Sequence, residues 1–405
     1  MSKKISRIIR KFKVKNNYNK VLKKLHNKKD KIRVIFISTE NSKWNYQSLY
    51  EYFENDERFE PLVVVSLLMG AHEGIDKTRN NIAKNYDFFK NRNINVEYAY
   101  KNGKYIDLKT FNPDIVFYEQ PWDLPKEHKP YHVSKFALTF YVGYGYDGIY
   151  NDMGMDYLSN FHEYLFKYFV TNKNNIEIQN KKNCIYLGYP KLDTYLEISE
   201  INTNSIWKDS SKIKIIYAPH HSFENNGLRM ATFDQNGQII LDIAKRHPET
   251  TWIFKPHPRF KFALLYNNIM TEEEIDEYYK QWSKIGIIYD KGDYFDIFKS
   301  SNIMITDCYS FLAEYLPSYH PLIQLVNNDS VDITGFGKRL VEGYYQCSDW
   351  SDLENTIVKL EKKENDYKLP IREHFMPELL DFNEKSSSKI YKYIKNTIFD
   401  NNETY

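Results

Sequence analysis

Along most of the chain, short apolar runs alternate with longer stretches whose apolar residues recur at helical spacing. The early runs are IRVIFIS (32–38), PLVVVSLL (61–68), NVEYAY (95–100), DIVFYEQ (114–120) and FALTFYV (136–142). They are rich in Val, Ile, Phe and Tyr and bounded by polar breaks, the signature of strands buried on both faces. NYQSLYEYFEND, between the first two runs, has the spacing of a helix. YLFKYFVTN (164–172) and NCIYLGYP (183–190) read as the last strands of this half. Strand and helix in alternation imply βαβ units and a parallel sheet.

The pattern lapses over residues 195–211, which reads as a linker, and then restarts. Strands are expected at KIIYAPHH (214–221), TWIFKPHP (251–258), GIIYD (286–290), IMITD (303–307) and PLIQLV (321–326). Helices are expected over 238–247, 271–285, 294–301 and 311–316, and again in LENTIVKLEKKE and SKIYKYIKNTIF near the end. A chain of 405 residues exceeds one ordinary core. Two sets of α/β units of similar length predict two Rossmann-like domains facing each other, 31–195 and 212–380, followed by a C-terminal helix in 381–405.

Charge adds one feature. Residues 1–31 hold thirteen Lys or Arg and one acid, leaving 43 basic against 53 acidic residues in a mildly acidic body. Within the basic arm (1–30), Ile5, Ile8, Ile9 and Phe12 fall at helical spacing, and Val21, Leu22 and Leu25 resume the pattern after an Asn-rich break. Two readings stand level: a helix lying on an anionic membrane surface, and a solvated helix packing a few apolar residues onto the body. A nucleic-acid partner is not expected, since the body is acidic and no recognition module is present. Three scattered cysteines, Cys184, Cys308 and Cys347, fit neither a disulfide framework nor a metal motif and point to a cytoplasmic setting. No stretch approaches the ~20 apolar residues of a membrane span, and no apolar run follows the N-terminal charges as in a secretory signal.

In open parallel sheets, ligands bind beyond the carboxyl ends of the strands. In the second half those ends read His220-His221-Ser222, Lys255-Pro256-His257-Pro258-Arg259, Asp290-Lys291-Gly292-Asp293 and Thr306-Asp307-Cys308-Tyr309-Ser310. Each proline removes a backbone donor, so the second strand should stop at Phe254 and hold His257 at a stiff tip. Ser310 has the character of an N-cap for the helix that follows, whose free N–H groups would suit phosphate. Glu314, one turn below on the same face, would reach a ribose. In the first half, Gly143-Tyr144-Gly145-Tyr146 ends a strand and either approaches a ligand closely or simply turns. Glu119-Gln120-Pro121-Trp122-Asp123 ends the strand before it and would border the same site. No Walker or GxGxxG loop is present, so an ordinary kinase, NTPase or dehydrogenase is not expected. No Asp-x-Asp metal motif is present either, and neither a metal nor a cofactor beyond the activated donor is expected.

LGYPKLD, IIYAPHH, WIFKPHP, YFDIFKSSNIMITDCYSFLAEYL and GFGKRLVEGYY resemble the CDP-glycerol glycerophosphotransferase family of teichoic-acid and capsule synthesis. The resemblance covers roughly residues 110–350. It implies a GT-B-like α/β fold with two Rossmann-like domains facing an interdomain cleft, and peripheral work at the inner membrane face. It also implies transfer of glycerol phosphate from a CDP-activated donor to a hydroxyl of a polysaccharide or lipid-linked glycan, with release of CMP. By position, His257 matches the family histidine expected at the donor phosphates. Asp307 and Ser310 match a segment expected at the pyrophosphate, and Glu314 falls where an acid tends to bind the ribose. Lys255 and Arg259 would share the phosphate charge, with His220 or His221 as the remaining base. Gly143, Tyr144, Gly145 and Tyr146 would lie on the acceptor side.

Two departures stand out. The family's first-domain histidine is missing, since Tyr141–Tyr146 takes its place, and the tip APHHS replaces a tryptophan-and-arginine version. The first departure favours one alternative, a glycosyltransferase using a nucleotide-linked sugar such as a CMP- or CDP-linked one; a nucleotide- or glycan-binding accessory protein is a separate alternative.

Overall fold

The computed structural model describes residues 3–69, 75–150, 161–173, 183–197, 206–224, 227–290, 294–362 and 365–400, with side chains of 3–4 and 75–81 left aside. The chain divides into two compact units. Unit 1 comprises Met1–Asp147, Met153–Asp193 and Asp381–Tyr405, and unit 2 comprises Gly148–Asp152 and Thr194–Leu380.

Unit 1 is built on β1 (Ile32–Ser38), β2 (Phe59–Val65), β3 (Val96–Tyr98), a small antiparallel hairpin of β4 (Tyr100–Lys101) and β5 (Lys104–Tyr105), β6 (Ile115–Tyr118), β7 (Leu138–Val142), β8 (Lys167–Val170) and β9 (Cys184–Tyr186). Seven of them form one parallel sheet in the order β3-β2-β1-β6-β7-β8-β9. The order reverses between β1 and β6, which makes their adjoining carboxyl ends the switch point where such sheets take ligands. The central strands are buried on both faces, with Val34 and Phe36 in one core cluster and Ile35 and Ile37 in another. Phe36 on β1 stacks on Phe117 of β6 with ring centroids 4.9 Å apart.

Unit 2 repeats the plan with β10 (Ile213–Ala218), β11 (Thr250–Phe254), β12 (Gly286–Ile288), β13 (Ile303–Thr306), β14 (Leu322–Leu325) and β15 (Tyr345–Cys347). Their order is β12-β11-β10-β13-β14-β15, all parallel. The switch point here lies between β10 and β13. β11 ends at Phe254, where the prolines were expected to stop it. The helix Glu272–Ile285 begins in a full capping box, Thr271 with Glu274, as TEEE spells. β15 and the helices Phe260–Tyr266, Gly335–Glu342 and Leu369–Leu379 lie outside the elements expected from periodicity. Three of these elements are short, and Pro377 interrupts the pattern of the last helix.

The N-terminal segment is one unbroken helix, α1 (Lys3–His26), and Asn16 and Asn17 do not interrupt it. Its second half is part of the body: Val14, Tyr18, Val21, Leu22 and Leu25 are buried in the core of unit 1. Tyr18 donates to the carbonyl of Tyr164 at 2.5 Å. The first half is different, with Ile5, Ile8, Ile9 and Phe12 all exposed. The C-terminal helix Ser386–Phe399 returns to unit 1 and buries Ile390, Ile394 and Ile398 there. LGYPKLD is what receives it. Gly188 has φ +94°, and a Cβ there would meet Ser386 Oγ at 2.2 Å. Asp193 accepts from the backbone N–H of Ser386 and Ser387 at 2.8 and 2.7 Å, satisfying the first donors of that helix. Among the described residues no helix is long and apolar enough to cross a membrane.

Candidate functional site

Because β11, β10 and β13 are parallel neighbours, their carboxyl ends emerge side by side at one edge of the unit 2 sheet. Adjacent strands lie ~4.8 Å apart, so the two outer tips are separated by roughly 10 Å. β11 delivers Lys255 to Arg259, β10 delivers His220 and His221, and β13 delivers Asp307 and, one turn on, Ser310. The tip after β12 lies partly outside the described residues, which lack Lys291, Gly292 and Asp293.

Three imidazoles meet here. The rings of His221 and His257 stack with centroids 3.9 Å apart and planes 20° from parallel. The ring of His220 lies 4.5 Å from that of His221 and 5.3 Å from that of His257. His221 and His257 are partly exposed, whereas His220 is buried at 7 % exposure. Backbone bonds set this packing: the N–H groups of Lys255 and His257 donate to the carbonyls of Tyr217 and Pro219, holding the KPHP segment against the end of β10. His257 Nδ1 accepts from the N–H of Arg259 at 3.1 Å. His220 Nδ1 lies 2.8 Å from Ser222 Oγ, which also accepts from the N–H of Met230. Burial lowers the pKa of His220 to about 4, so it is neutral near pH 7.

Asp307 plays a part other than the one expected at a pyrophosphate. Its carboxylate is buried and accepts from the N–H of His220 at 2.6 Å and from the N–H and hydroxyl of Thr232 at 2.8 and 3.0 Å. It braces the β10 tip and the start of the helix Phe233–Arg246. Burial raises its pKa to about 6 against those hydrogen bonds. Thr306 adds to the brace, donating to the carbonyl of Ala218 at 2.6 Å.

Ser310 is not the N-cap. The helix spans Tyr309–Glu314, its N-cap is Cys308, and no side chain caps it. The helix begins two residues earlier than the cap expectation, and its N-cap Cys308 donates its N–H to Thr306 Oγ1 at 3.0 Å. Ser310 is half-buried, with its hydroxyl 3.3 Å from Cys308 Sγ. Glu314 is buried rather than open to a ribose, and Tyr294 donates its hydroxyl to it. Lys255 is also buried, its ammonium 4.5 Å from the ring centre of Tyr294 and 5.2 Å from that of Phe311. It sits in an aromatic cage behind the tips. Arg259 is exposed at the start of the helix Phe260–Tyr266. The structure therefore brings the rings of His220, His221 and His257 together, with the backbone N–H of Arg259 on His257 and with Lys255, Asp307 and Glu314 as buried supports; the Arg259 guanidinium lies 5.9 Å from the ring centre of Phe262.

The parts played by Ser222, Thr232 and Tyr294 were missed from sequence. A hydroxyl before a helix was a readable sign for Thr232. Ser222 was named at the β10 tip without a role, and nothing in the spacing marked Tyr294, which acts on Glu314, a residue brought near only by the fold.

In unit 1, the turn after β7 is organised around its own contacts. Asn45 donates to the carbonyl of Gly143 at 2.8 Å, and Tyr189 donates to that of Tyr144 at 2.8 Å. Tyr146 is buried beside Tyr189. Among the glycines of this turn, Gly148 has a positive φ, +81°, and Gly143 instead leaves room for Asp147, whose carboxylate would lie 3.0 Å from an added Cβ. Tyr144 and Gly145 remain half-exposed. The tyrosine-and-glycine run thus has a structural reason, with Tyr144 still accessible at the strand tip. The acid ending β6, Glu119, is buried and accepts from Ser38 Oγ at 2.9 Å, from the N–H of Thr39 at 2.7 Å and from the N–H of Glu40 at 3.1 Å.

No protein-family model and no curated protein matches the sequence. Solved structures do share its fold. The wall teichoic acid polymerase TagF, in a histidine-to-asparagine variant soaked with CDPG, aligns over 99 % of this chain and 100 % of its own, at 14 % identity and a TM-score of 0.58. The S. aureus MnaA–UDP co-structure covers 90 % of this chain and 96 % of its own, at 13 % identity and a TM-score of 0.57. The UDP-GlcNAc 2-epimerase of Methanocaldococcus jannaschii covers 90 % and 99 %, at 17 % identity and a TM-score of 0.55. The two-sheet, GT-B-like α/β fold expected from the resemblance is the fold found, and a teichoic acid polymerase is among the proteins that share it.

Proposed function

We propose that the chain is a transferase that moves a polyol phosphate, glycerol phosphate first, from a CDP-activated donor to a hydroxyl of a surface polysaccharide or teichoic-acid-like glycan. The observation that carries this reading is the stacking of His221 on His257 at adjacent strand tips beside the switch point of unit 2, with Arg259 two residues on. In the reaction, the acceptor oxygen bonds to the phosphorus that bears the polyol, and the bond from that phosphorus to the CMP oxygen breaks. The acceptor proton passes to an imidazole, histidine being the usual base near neutral pH. Buried His220 is a poor base at that pH, which favours His221 for the proton. His257 and Arg259 face the donor phosphates, where negative charge grows on the departing CMP. Lys255, Asp307 and Glu314 hold the tips in place, and Ser310 contributes its half-buried hydroxyl near the phosphates. Gly143, Tyr144, Gly145 and Tyr146 belong to the acceptor side, with Tyr144 offering its half-exposed ring to a sugar.

The exposed Ile5, Ile8, Ile9 and Phe12 on a helix rich in Lys and Arg support a peripheral place on an anionic membrane face. The lack of a histidine where β7 meets Gly143 favours a second reading, a glycosyltransferase using a nucleotide-linked sugar.

A donor screen with mass readout tests both. CDP-glycerol, CDP-ribitol, CMP-sugars and UDP-sugars are each offered with and without a glycan acceptor. The first reading expects CMP from a CDP-polyol, with turnover lost in His257→Ala. Turnover of a nucleotide sugar alone selects the second reading, and absence of both turnover and nucleotide binding sinks the two together.

A further inference from the structure

We propose that His220, His221 and His257 form a site for one late first-row divalent cation, with zinc the best fit. One ring nitrogen from each of the three lies within 4.8 Å of those of the other two. A tetrahedral ion bound at ~2.0–2.1 Å holds its nitrogen ligands about 3.4 Å apart. The widest pair must therefore close by up to about 1.4 Å, through rotation of the two partly exposed rings. His220 stays fixed, because its Nδ1 is held by Ser222 Oγ and leaves Nε2 as the ligand atom. That is the orienting role an outer hydrogen bond plays for a metal-bound imidazole. At His257 the present bond from the Arg259 N–H to Nδ1 is exposed and 3.1 Å long. Ligation through Nε2 exchanges that weak bond, with a change of tautomer, for a coordinate bond.

The donor set selects the ion. Three imidazoles without a thiolate or carboxylate suit zinc, nickel, copper or cobalt rather than magnesium or calcium. The nearest acid, Asp307, spends its oxygens on the His220 N–H and on Thr232. Three protein ligands leave a fourth position open. That position suits an anionic oxygen such as a donor phosphate. This last point rests on the transferase reading, in which a metal-bound His221 no longer takes the acceptor proton, so its two roles exclude each other; binding of the ion does not rest on that reading. No spacing motif announces the site, since its ligands come from two strand tips separated in the chain by a whole helix. The His-His pair of APHHS is also where this chain departs from the pattern it otherwise resembles.

The test uses tag-free, full-length protein dialysed against chelator and then titrated calorimetrically with zinc, with magnesium as the control. Cobalt is added separately for its visible absorption. The expected result is one equivalent of zinc bound, no magnesium bound, and the strong absorption of tetrahedral cobalt. His221→Ala and His257→Ala, at partly exposed positions, should keep their circular dichroism and weaken binding by at least ~100-fold. His247→Ala, at the cluster with Glu249 and Glu354, should leave the affinity unchanged. No stoichiometric binding, or binding that survives the double variant His221→Ala/His257→Ala, overturns the proposal. Nucleotide binding measured on the same metal-free protein separates the two ideas. Nucleotide without metal removes only this inference, and metal without nucleotide removes only the transferase reading.

Discussion

The two units answer the same structural problem in the same way and then diverge at the last residue. Each sheet reverses its order beside its first strand, β1 in unit 1 and β10 in unit 2. Each strand across the reversal, β6 or β13, is followed at once by a buried acid, Glu119 or Asp307. Each acid takes the free N–H groups of the neighbouring tip, Thr39 and Glu40 in one case, His220 in the other. A brace that recurs in a unit whose switch-point tips bear hydroxyls and amides is architecture. This is why Asp307 reads as a support rather than as a phosphate ligand. What differs is what the brace presents: Ser38, Thr39 and Gln120 in unit 1, a cluster of histidines in unit 2.

The largest expected effect separates presentation from support. His257→Ala should cut donor turnover by ~10²–10⁴-fold, the range for a group acting on protons or charge in the transition state. It should change stability by under ~1 kcal/mol, because the ring is partly exposed. Nucleotide-release kinetics and urea denaturation check the pair. A variant that loses stability instead of turnover would move His257 into the supporting set.

Breaking the brace should look alike in both units. Glu119→Ala and Asp307→Ala each strand two or more buried donors and should each cost about 3 kcal/mol locally. Hydrogen exchange would show the loss at residues 38–40 in the first variant and 218–222 in the second. A large effect in one unit with none in the other would end the parallel.

Dependence on pH should then tell the units apart. Burial holds His220 near 4 rather than 6.5, so between those values the unfolded chain binds more protons, and unit 2 loses stability as the pH falls. Burial holds Asp307 near 6 rather than 3.8, so between those values the folded form binds more protons, and stability rises as the pH falls. Each contribution is at most about 3 kcal/mol, and the two oppose each other between pH 4 and 6. The tip of unit 2 should therefore show nearly flat protection from exchange, and Asp307→Asn should unmask a loss of stability toward low pH. In unit 1, burial raises Glu119, and a buried histidine there, His128, hydrogen-bonds to Ser66 and Ile106 rather than to the groups around Glu119, so protection at Thr39 and Glu40 should increase as the medium turns acidic.

The smallest effect on stability contrasts the halves of α1. Ile8→Ser, at an exposed position, should shift stability by under ~0.5 kcal/mol while weakening sedimentation with anionic vesicles. Leu22→Ala, buried in the core, should cost about 2–5 kcal/mol. Equal vesicle binding by Ile8→Ser and the unaltered protein would remove the membrane role of this face.

The chain's own order of residues determined most strands, most helices and the two-fold repetition of the plan. These rest on local periodicity and on breakers such as the prolines around His257, and such signals act over a few residues. It also determined which tips carry histidine. Whether a tip residue faces solvent or is buried was left to the fold. His220 and His221 are neighbours in sequence, yet one is buried against Ser222 and the other is stacked, partly exposed, on His257. Glu314 and Lys255 carry charges that sequence would place outside, and the fold encloses them with Tyr294 and Phe311. Burial and partnership depend on segments far apart in the chain that meet only when a sheet is assembled. No pattern read along one strand contains the neighbour that will close over its end.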